Sequence, residues 1–314
     1  MNVRRSDIGG IAPQAIQAVG GVFSRAEWHA AGLTEAELRR AVREGQVSRV
    51  CRGWYEHGAS NLDASRAVSA GARLTCASAL PLHGAWDLRP AHPHVRVGFG
   101  ARGHTERRRE GAAGFGASAR GLLLHRAPRH LDAPLGRSAV DDVEVALRMA
   151  FECLHPRDFA VVGDSLLNRG LVSVDVLESL ASSVSARAAR KVAFVDGTGM
   201  SGTETRMRLW LRGRGHRVEA QVFFDSVGFV DLVVDGWLVI ECDSREFHGS
   251  LAAFMTDRGR DLLLASMGFV VVRLTYEQVM SEWASTEQAL VAILARGRRA
   301  RGREFGRVVP RRAA

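Results

Sequence analysis

Hydrophobic residues near the start of the chain recur at helical spacing, and signals for helix ends bound each group. Two S/T-x-x-E motifs, at 24–27 and 34–37, place side chains where they satisfy the free amides of a first helical turn. Gly32 and Gly45 follow the two predicted helices, at the position where glycine adopts a left-handed cap. With a further helix over 13–19, the pattern predicts three short helices.

The spacing of these helices indicates a winged helix-turn-helix over residues 1–58. Gly32-Leu33 is the short connection that a helix-turn-helix requires. After the last helix, the apolar spacing of residues 46–55 and the glycine at 53 predict a small β-hairpin, which is the wing.

The third helix has the pattern of a recognition helix. We expect Leu38 and Val42 to point inward, which leaves a basic face outward to contact phosphates and base edges. The predicted DNA-binding residues on this helix and the wing are Arg39, Arg40, Arg43, Arg49 and Arg52. A winged helix used as a protein-interaction module is the alternative.

Short runs in this segment resemble the N-terminal domain of the AbiEi antitoxin family. They are Gly20-Gly21-Val22-Phe23-Ser24, Ala31-Gly32-Leu33, and Val50 through Gly53-Trp54-Tyr55. The resemblance implies DNA binding without a target sequence. Ser78-Ala79-Leu80 and His83-Gly84 likewise resemble the middle region of AbiEi-type proteins.

Residues 59–195 form the predicted middle region. The Gly-, Ala- and Arg-rich stretch 98–121 predicts a loop or hairpin beside the DNA path, and helical spacing predicts a helical bridge over 141–195. Histidines in this region lack the spacing of metal ligands, so we expect surface or core roles. They are His83, His92, His94, His125 and His130.

From residue 201 the pattern changes to an α/β arrangement. Predicted strands cover 218–224, 229–234, 237–243 and 269–274, and predicted helices cover 203–211, 251–267 and 276–295. The order αβββαβ is that of the restriction-endonuclease-like core of the PD-(D/E)XK superfamily. The residues resemble uncharacterised relatives of very-short-patch-repair endonucleases. The resemblance is carried by Glu204, Val230-Asp231-Leu232, Ile240-Glu241-Cys242-Asp243, His248, Asp257, Arg260-Asp261 and residues 268–273.

Acidic residues on two of these strands predict a divalent-metal site. Phosphodiester hydrolysis needs a metal ion to bind the phosphate, activate water and stabilise developing charge, and Mg²⁺ prefers one or two carboxylates plus water. We expect Asp231 and Glu241 to hold Mg²⁺ or Mn²⁺. Period two also places Asp243 on the face of Glu241.

The hairpin before the acidic strand decides which face Asp231 occupies. A two-residue Asp235-Gly236 loop would pair Asp231 with Ile240 and put it on the face opposite Glu241. A three-residue loop, Val234-Asp235-Gly236, would pair Asp231 with Val239 and put all three acids on one face. We predict the second register.

Three further residues are predicted to belong to the catalytic group, each with an alternative role. Glu204 joins the metal site or caps its own helix through Ser201; His248 transfers a proton or lies on the surface. Arg260 belongs to the site or forms an ordinary helix salt bridge. The superfamily's motif lysine is replaced by Asp243, so water activation has to come from metal, His248 or an acid.

The composition indicates an anionic binding partner and a cellular compartment. The net charge is +9, but residues 296–314 carry eight arginines and one acid, so most of this charge lies in a predicted flexible basic tail over 297–314. The four cysteines show no C-x-x-C spacing and indicate reduced thiols in a cytoplasm rather than a disulfide framework or a structural zinc site. We expect neither a signal peptide nor a membrane span.

The sequence therefore predicts a multi-domain α/β protein: winged helix (1–58), middle region (59–195), endonuclease-like domain (196–296) and basic tail. The leading hypothesis is a cytoplasmic, metal-dependent DNA endonuclease that acts in defence or repair. The alternative is a non-catalytic antitoxin or repressor of the AbiEi type, whose nuclease-like domain binds DNA, a cognate toxin or another protein.

Overall fold

A computed structural model describes residues 18–98, 107–108, 115–117, 121–126, 138–243 and 251–301. The chain divides into two compact units. The first comprises Met1–His155 and Glu178–Ala189, and the second comprises Pro156–Leu177 and Arg190–Ala314. No helix within the described ranges is long and apolar enough to cross a membrane.

The first unit begins with the predicted winged helix-turn-helix. Its elements are β1 (Val22–Ser24), α1 (Arg25–Ala30), α2 (Glu35–Arg43), β2 (Ser48–Cys51) and β3 (Trp54–Glu56), with strand order β1-β3-β2. Both predicted capping boxes are present, at Ser24 with Glu27 and at Thr34 with Glu37. Of the predicted helix over 13–19, residues 13–17 lie outside the described ranges, and Val19–Gly21 form a 3-10 turn.

The inward face of α2 differs from the prediction at one position. Leu38 and Ala41 are buried, whereas Val42 is 38% exposed. Ala41 is three residues after Leu38 and therefore lies on the same helix face, while Val42 is rotated further towards solvent. The small alanine side chain packs against the aromatic core formed by Phe23, Trp28 and Tyr55.

The middle of the first unit is built on a five-stranded sheet. Its strands are β4 (Arg73–Leu74), β5 (His94–Val97), β6 (Arg107–Arg108), β7 (Phe115–Ala117) and β8 (Leu123–Arg126), in the order β4-β5-β8-β7-β6. The helices α3 (Leu62–Ser69), α4 (Cys76–Ala79) and α5 (Val143–Cys153) complete it. Strands β6 and β7 form the hairpin predicted within 98–121.

The predicted helical bridge is present as four helices. They are α5, α6 (Pro156–Asn168), α7 (Val174–Val184) and α8 (Ala186–Val192). Helix α5 begins after Asp142, whose side chain accepts a hydrogen bond from the amide of Val145. The bridge is not one domain, because α6 belongs to the second unit and α5 to the first.

The second unit contains the predicted order of helix, three strands, helix and strand. It comprises α9 (Gly202–Arg212), β9 (Val218–Phe224), β10 (Gly228–Val234), β11 (Leu238–Cys242), α10 (Leu251–Ser266) and β12 (Val270–Leu274). The strand order is β12-β11-β10-β9, with β11 and β12 parallel and the other pairs antiparallel. The predicted last helix is two helices, α11 (Tyr276–Met280) and α12 (Trp283–Arg301).

The register between β10 and β11 differs from the prediction by two residues. Leu232 pairs with Ile240 and Val233 with Val239, so Asp231 stands opposite Glu241 rather than Val239. Asp235 and Gly236 both have positive φ, and Trp237 donates its amide to Val234 across the turn. The turn thus closes on two residues, and Trp237 is an extra residue before the ladder begins. A shift of two residues keeps each side chain on its face, so Asp231 and Glu241 still share one.

A buried ion pair fastens α6 to α9 inside the second unit. The guanidinium of Arg208 contacts Asp164 and Asp196 at 2.5 Å each, and both Arg208 and Asp164 are fully buried. Asp164 also accepts hydrogen bonds from Thr205 and from the backbone amides of residues 196 and 197. These bonds satisfy a charge that burial would otherwise make unfavourable.

We expect Asp164→Ala to destabilise the second unit by about 3–5 kcal/mol, because it leaves the Arg208 charge poorly compensated in the interior. Asp158→Ala on the same helix is the matched control. Asp158 pairs with Arg206 in a partly exposed position, so its loss should cost about 1 kcal/mol or less. Urea unfolding followed by tryptophan fluorescence measures both, and equal costs would contradict this account.

Candidate functional site

The predicted DNA-binding arginines form an exposed group on the winged helix. All five, Arg39, Arg40, Arg43, Arg49 and Arg52, are exposed. On α2, Arg43 lies one turn beyond Arg39 and Arg40, so the three share one face. The structure therefore brings together the basic face that the sequence predicted.

Acidic neighbours reduce the charge of part of this face. Arg39 lies 3.6 Å from Glu35, and Arg40 donates to Glu44 at 2.6 Å. Arg43, Arg49 and Arg52 form no ion pair within the described part of the chain, and Arg49 bonds only the backbone oxygen of Cys51. These three side chains carry the least compensated positive charge of the five.

A row of polar side chains crosses the sheet of the second unit. Three neighbouring strands contribute one residue each: Gln221 on β9, Asp231 on β10 and Glu241 on β11. Asp231 is not among the paired positions with either β9 or β11. Gln221 has a φ of 51°, a left-handed conformation that interrupts β9 here. Side chains replace the missing ladder bonds. The amide of Asp231 donates to Glu241 at 3.2 Å, and the amide of Cys242 donates to Asp231 at 2.7 Å.

Glu204 joins this row from the first turn of α9. Its carboxylate accepts hydrogen bonds from Gln221 and from the amide of Met200, each at 2.9 Å. Ser201 caps the helix by accepting from the backbone of Glu204. Glu204 therefore helps to order the start of its helix and also bonds the polar row through Gln221, and its predicted part in a metal site stays a prediction.

Burial and mutual repulsion disfavour the ionised form of these carboxyl groups. Glu204 and Glu241 are 4% and 7% exposed. Burial, together with the charge of Asp231, raises the pKa of each to about 7. Burial likewise raises the pKa of Asp231. A bound cation would relieve this repulsion.

Two of the three remaining predicted site residues lie at the edge of the row. Arg260 on α10 donates to the backbone oxygen of Phe229 and lies 3.5 Å from Glu241, so it reaches the site. Asp243 is half exposed and lies 3.9 Å from Arg273. His248 falls outside the described ranges, so its predicted role stays a prediction.

The acids are adjacent without forming a compact metal group. Asp231 and Glu241 share a face, but no three of the described acids of this unit have ligand oxygens that all lie within 4.8 Å of one another. The described ranges hold one group that meets this criterion, and it lies in the first unit. It consists of Cys76, His94, His125 and Cys153.

Sequence reasoning missed this cysteine–histidine group and also Gln221. The four residues are far apart in the chain, and none of the usual short ligand spacings relates them. The prediction that His94 and His125 have surface or core roles is therefore incomplete, since both are buried beside two thiols. Nothing in a strand pattern signals the left-handed conformation of Gln221.

Comparison with known proteins bears on the N-terminal segment alone. Residues 12–56 match the family model described as transcriptional regulator, AbiEi antitoxin. This segment is antitoxin-like, and it contains the helix-turn-helix and the wing. A comparison with curated proteins gives no match.

We expect Glu241→Gln to remove part of the pH dependence of stability. The folded chain binds the Glu241 proton more tightly than an unfolded chain, with a pKa of about 7 against 4.5, so ionisation lowers stability as the pH rises between these values. The variant lacks this loss, which amounts to at most about 3 kcal/mol. Urea titrations at pH 4.5 and 7.5, without added divalent ions, measure it. Parallel pH profiles for variant and wild type would contradict the assignment.

Proposed function

We propose that the protein binds duplex DNA through the winged helix and hydrolyses a phosphodiester bond in the second unit with Mg²⁺ or Mn²⁺. The cross-strand pair of Asp231 and Glu241, with Glu204 beside it, carries the proposal. Three poorly compensated carboxyl groups in one buried row are costly for folding and suited to a divalent cation.

The resemblance to very-short-patch-repair endonucleases supports the same role for these residues. Its motif acids fall on Asp231 and Glu241, and the order of helices and strands agrees with the superfamily core. The regular pairing of β10 is interrupted at this row, and backbone amides of the strands hold the carboxylates of Asp231 and Glu241. We assign the second unit to an endonuclease-like fold on these grounds.

In this proposal Asp231 and Glu241 hold the metal ion, which supplies charge stabilisation and an activated water. Arg260 lies 3.5 Å from Glu241 and would orient its carboxylate. Arginine stays protonated, so it is not a general base. With Asp243 in the position of the superfamily lysine, His248 or a carboxylate with a raised pKa takes the proton.

The second candidate function is a DNA-binding regulator of the antitoxin type. The family match favours it, since that match covers the winged helix and carries the description of a regulator. The spacing of the acids also favours it, because no three described acids of the second unit bring their oxygens within 4.8 Å of one another. In this case the second unit would bind DNA, a toxin or another protein without cutting. Both candidates place the protein in the cytoplasm.

Asp231→Ala and Glu241→Ala should each lower the rate of Mg²⁺-dependent cleavage of plasmid DNA by orders of magnitude, because each removes a hard oxygen ligand. Asp225→Asn is the control, since it neutralises an exposed acid in the loop after β9. DNA affinity without metal should be unchanged or higher in the two alanine variants. Two results together would contradict catalysis and support the regulator. The wild type would cleave none of duplex, mismatched and single-stranded DNA, and calorimetry would find no Mg²⁺ binding that depends on Asp231.

Replacing Arg43 and Arg52 together by alanine should weaken binding to duplex DNA and reduce the salt slope of log K by up to about 2, near 0.9 per lost phosphate contact. These are two of the three predicted arginines without an acidic partner in the described part of the winged helix, and unlike Arg49 neither donates to a neighbouring backbone oxygen. Arg187→Ala, an exposed arginine on α8 in the same unit, is the control and should change neither quantity. Unchanged binding in the double variant would favour a protein-interaction role for the winged helix.

A further inference from the structure

Four metal-ligating side chains from separate parts of the first unit meet in its interior. Cys76 begins α4, His94 begins β5, His125 lies on β8 and Cys153 ends α5. Each offers one ligand atom, and these four atoms all lie within 4.8 Å of one another. From this geometry we propose a structural zinc site with the ligands Cys76, His94, His125 and Cys153.

The distances fit a tetrahedral ion. With Zn–N near 2.0–2.1 Å and Zn–S near 2.3 Å, two nitrogen ligands stand about 3.3 Å apart, and a nitrogen and a sulfur about 3.6 Å apart. Nδ1 of His94 lies 3.1 Å from Nε2 of His125 and 3.7 Å from Sγ of Cys153. The same atom of His94 makes both contacts, as it would if Nδ1 were its ligand atom.

The fold holds the four ligands from two sides. His94 and His125 belong to neighbouring parallel strands, and the amide of Thr75 bonds the backbone oxygen of His94, which brings Cys76 next to the sheet. Cys76 has a φ of 52°, a conformation that non-glycine residues seldom adopt and that fixed side-chain placement can justify. Helices α4 and α5 pack together and supply one thiol each.

The donor set also suits zinc, because the group consists of two thiols and two imidazoles. Thiolate and neutral imidazole are the forms that bind metal. Two of each form the Cys₂His₂ set of structural zinc sites.

Four protein ligands leave no open position for water or substrate, so the role is structural rather than catalytic. Zinc would tie the strands β5 and β8 to the helices α4 and α5 and add directly to the stability of this unit. Without metal, the same side chains form a hydrogen-bonded cluster or a Cys76–Cys153 disulfide. These two states are the competing outcomes.

The test is the metal content of the tag-free full chain, purified without chelators and analysed by elemental mass spectrometry. We expect about one zinc per chain. Exchange into Co²⁺ should give a thiolate-to-cobalt charge-transfer band and the intense visible bands of tetrahedral cobalt. This measurement on the wild type does not depend on whether a variant folds.

Variants then assign the ligands. Cys153→Ser and His125→Asn should lose stoichiometric zinc and the charge-transfer band, whereas Cys51→Ser and Cys242→Ser should keep both. Removing zinc should lower the melting temperature of the wild type, with no further effect in Cys153→Ser. Zinc far below one per chain together with no cobalt spectrum, a Cys76–Cys153 disulfide in the purified chain, or equal zinc loss in Cys51→Ser would overturn the site.

Discussion

The burial of three carboxyl groups in one row of the sheet is the constraint on which the second unit depends. Burial and the charge of Asp231 raise the pKa of Glu204 and Glu241, and Arg260 forms an ion pair with Glu241. Regular strand pairing is interrupted at this row, and backbone amides donate hydrogen bonds to the carboxylates instead. Such an arrangement lowers stability, and binding a divalent ion is the function that we propose for it.

Three polar clusters of the chain differ in how their charges are balanced. In the ion pair of Asp164 and Arg208 each charge meets its opposite, and amides satisfy the remaining oxygens. The acidic row has the opposite balance, with more carboxylates than cations. The cysteine–histidine group of the first unit gathers neutral or thiolate donors without an acid. We propose a metal ion for the two arrangements whose donors lack matching cations or protons, and none for the balanced ion pair.

Local patterns predicted much of this fold. The capping boxes at Ser24 and Thr34 and the strands of the second unit were found because their signals lie within a few neighbouring residues. Asp231 and Glu241 were placed on one face by alternation, although the register was wrong by two residues because Asp235, Gly236 and Trp237, rather than Val234, Asp235 and Gly236, separate the paired residues. The cysteine–histidine group could not be predicted in this way, since Cys76 and Cys153 meet only through tertiary packing.

The central claim is that Asp231 and Glu241 hold a divalent metal ion. Crystals of the full chain grown with Mn²⁺ test it through anomalous scattering, which locates the metal without reference to activity. The account predicts an anomalous peak within coordination distance, near 2.1–2.2 Å, of both carboxylates, and its loss in Asp231→Ala. A metal-replete crystal with no peak beside Asp231 and Glu241 would contradict it.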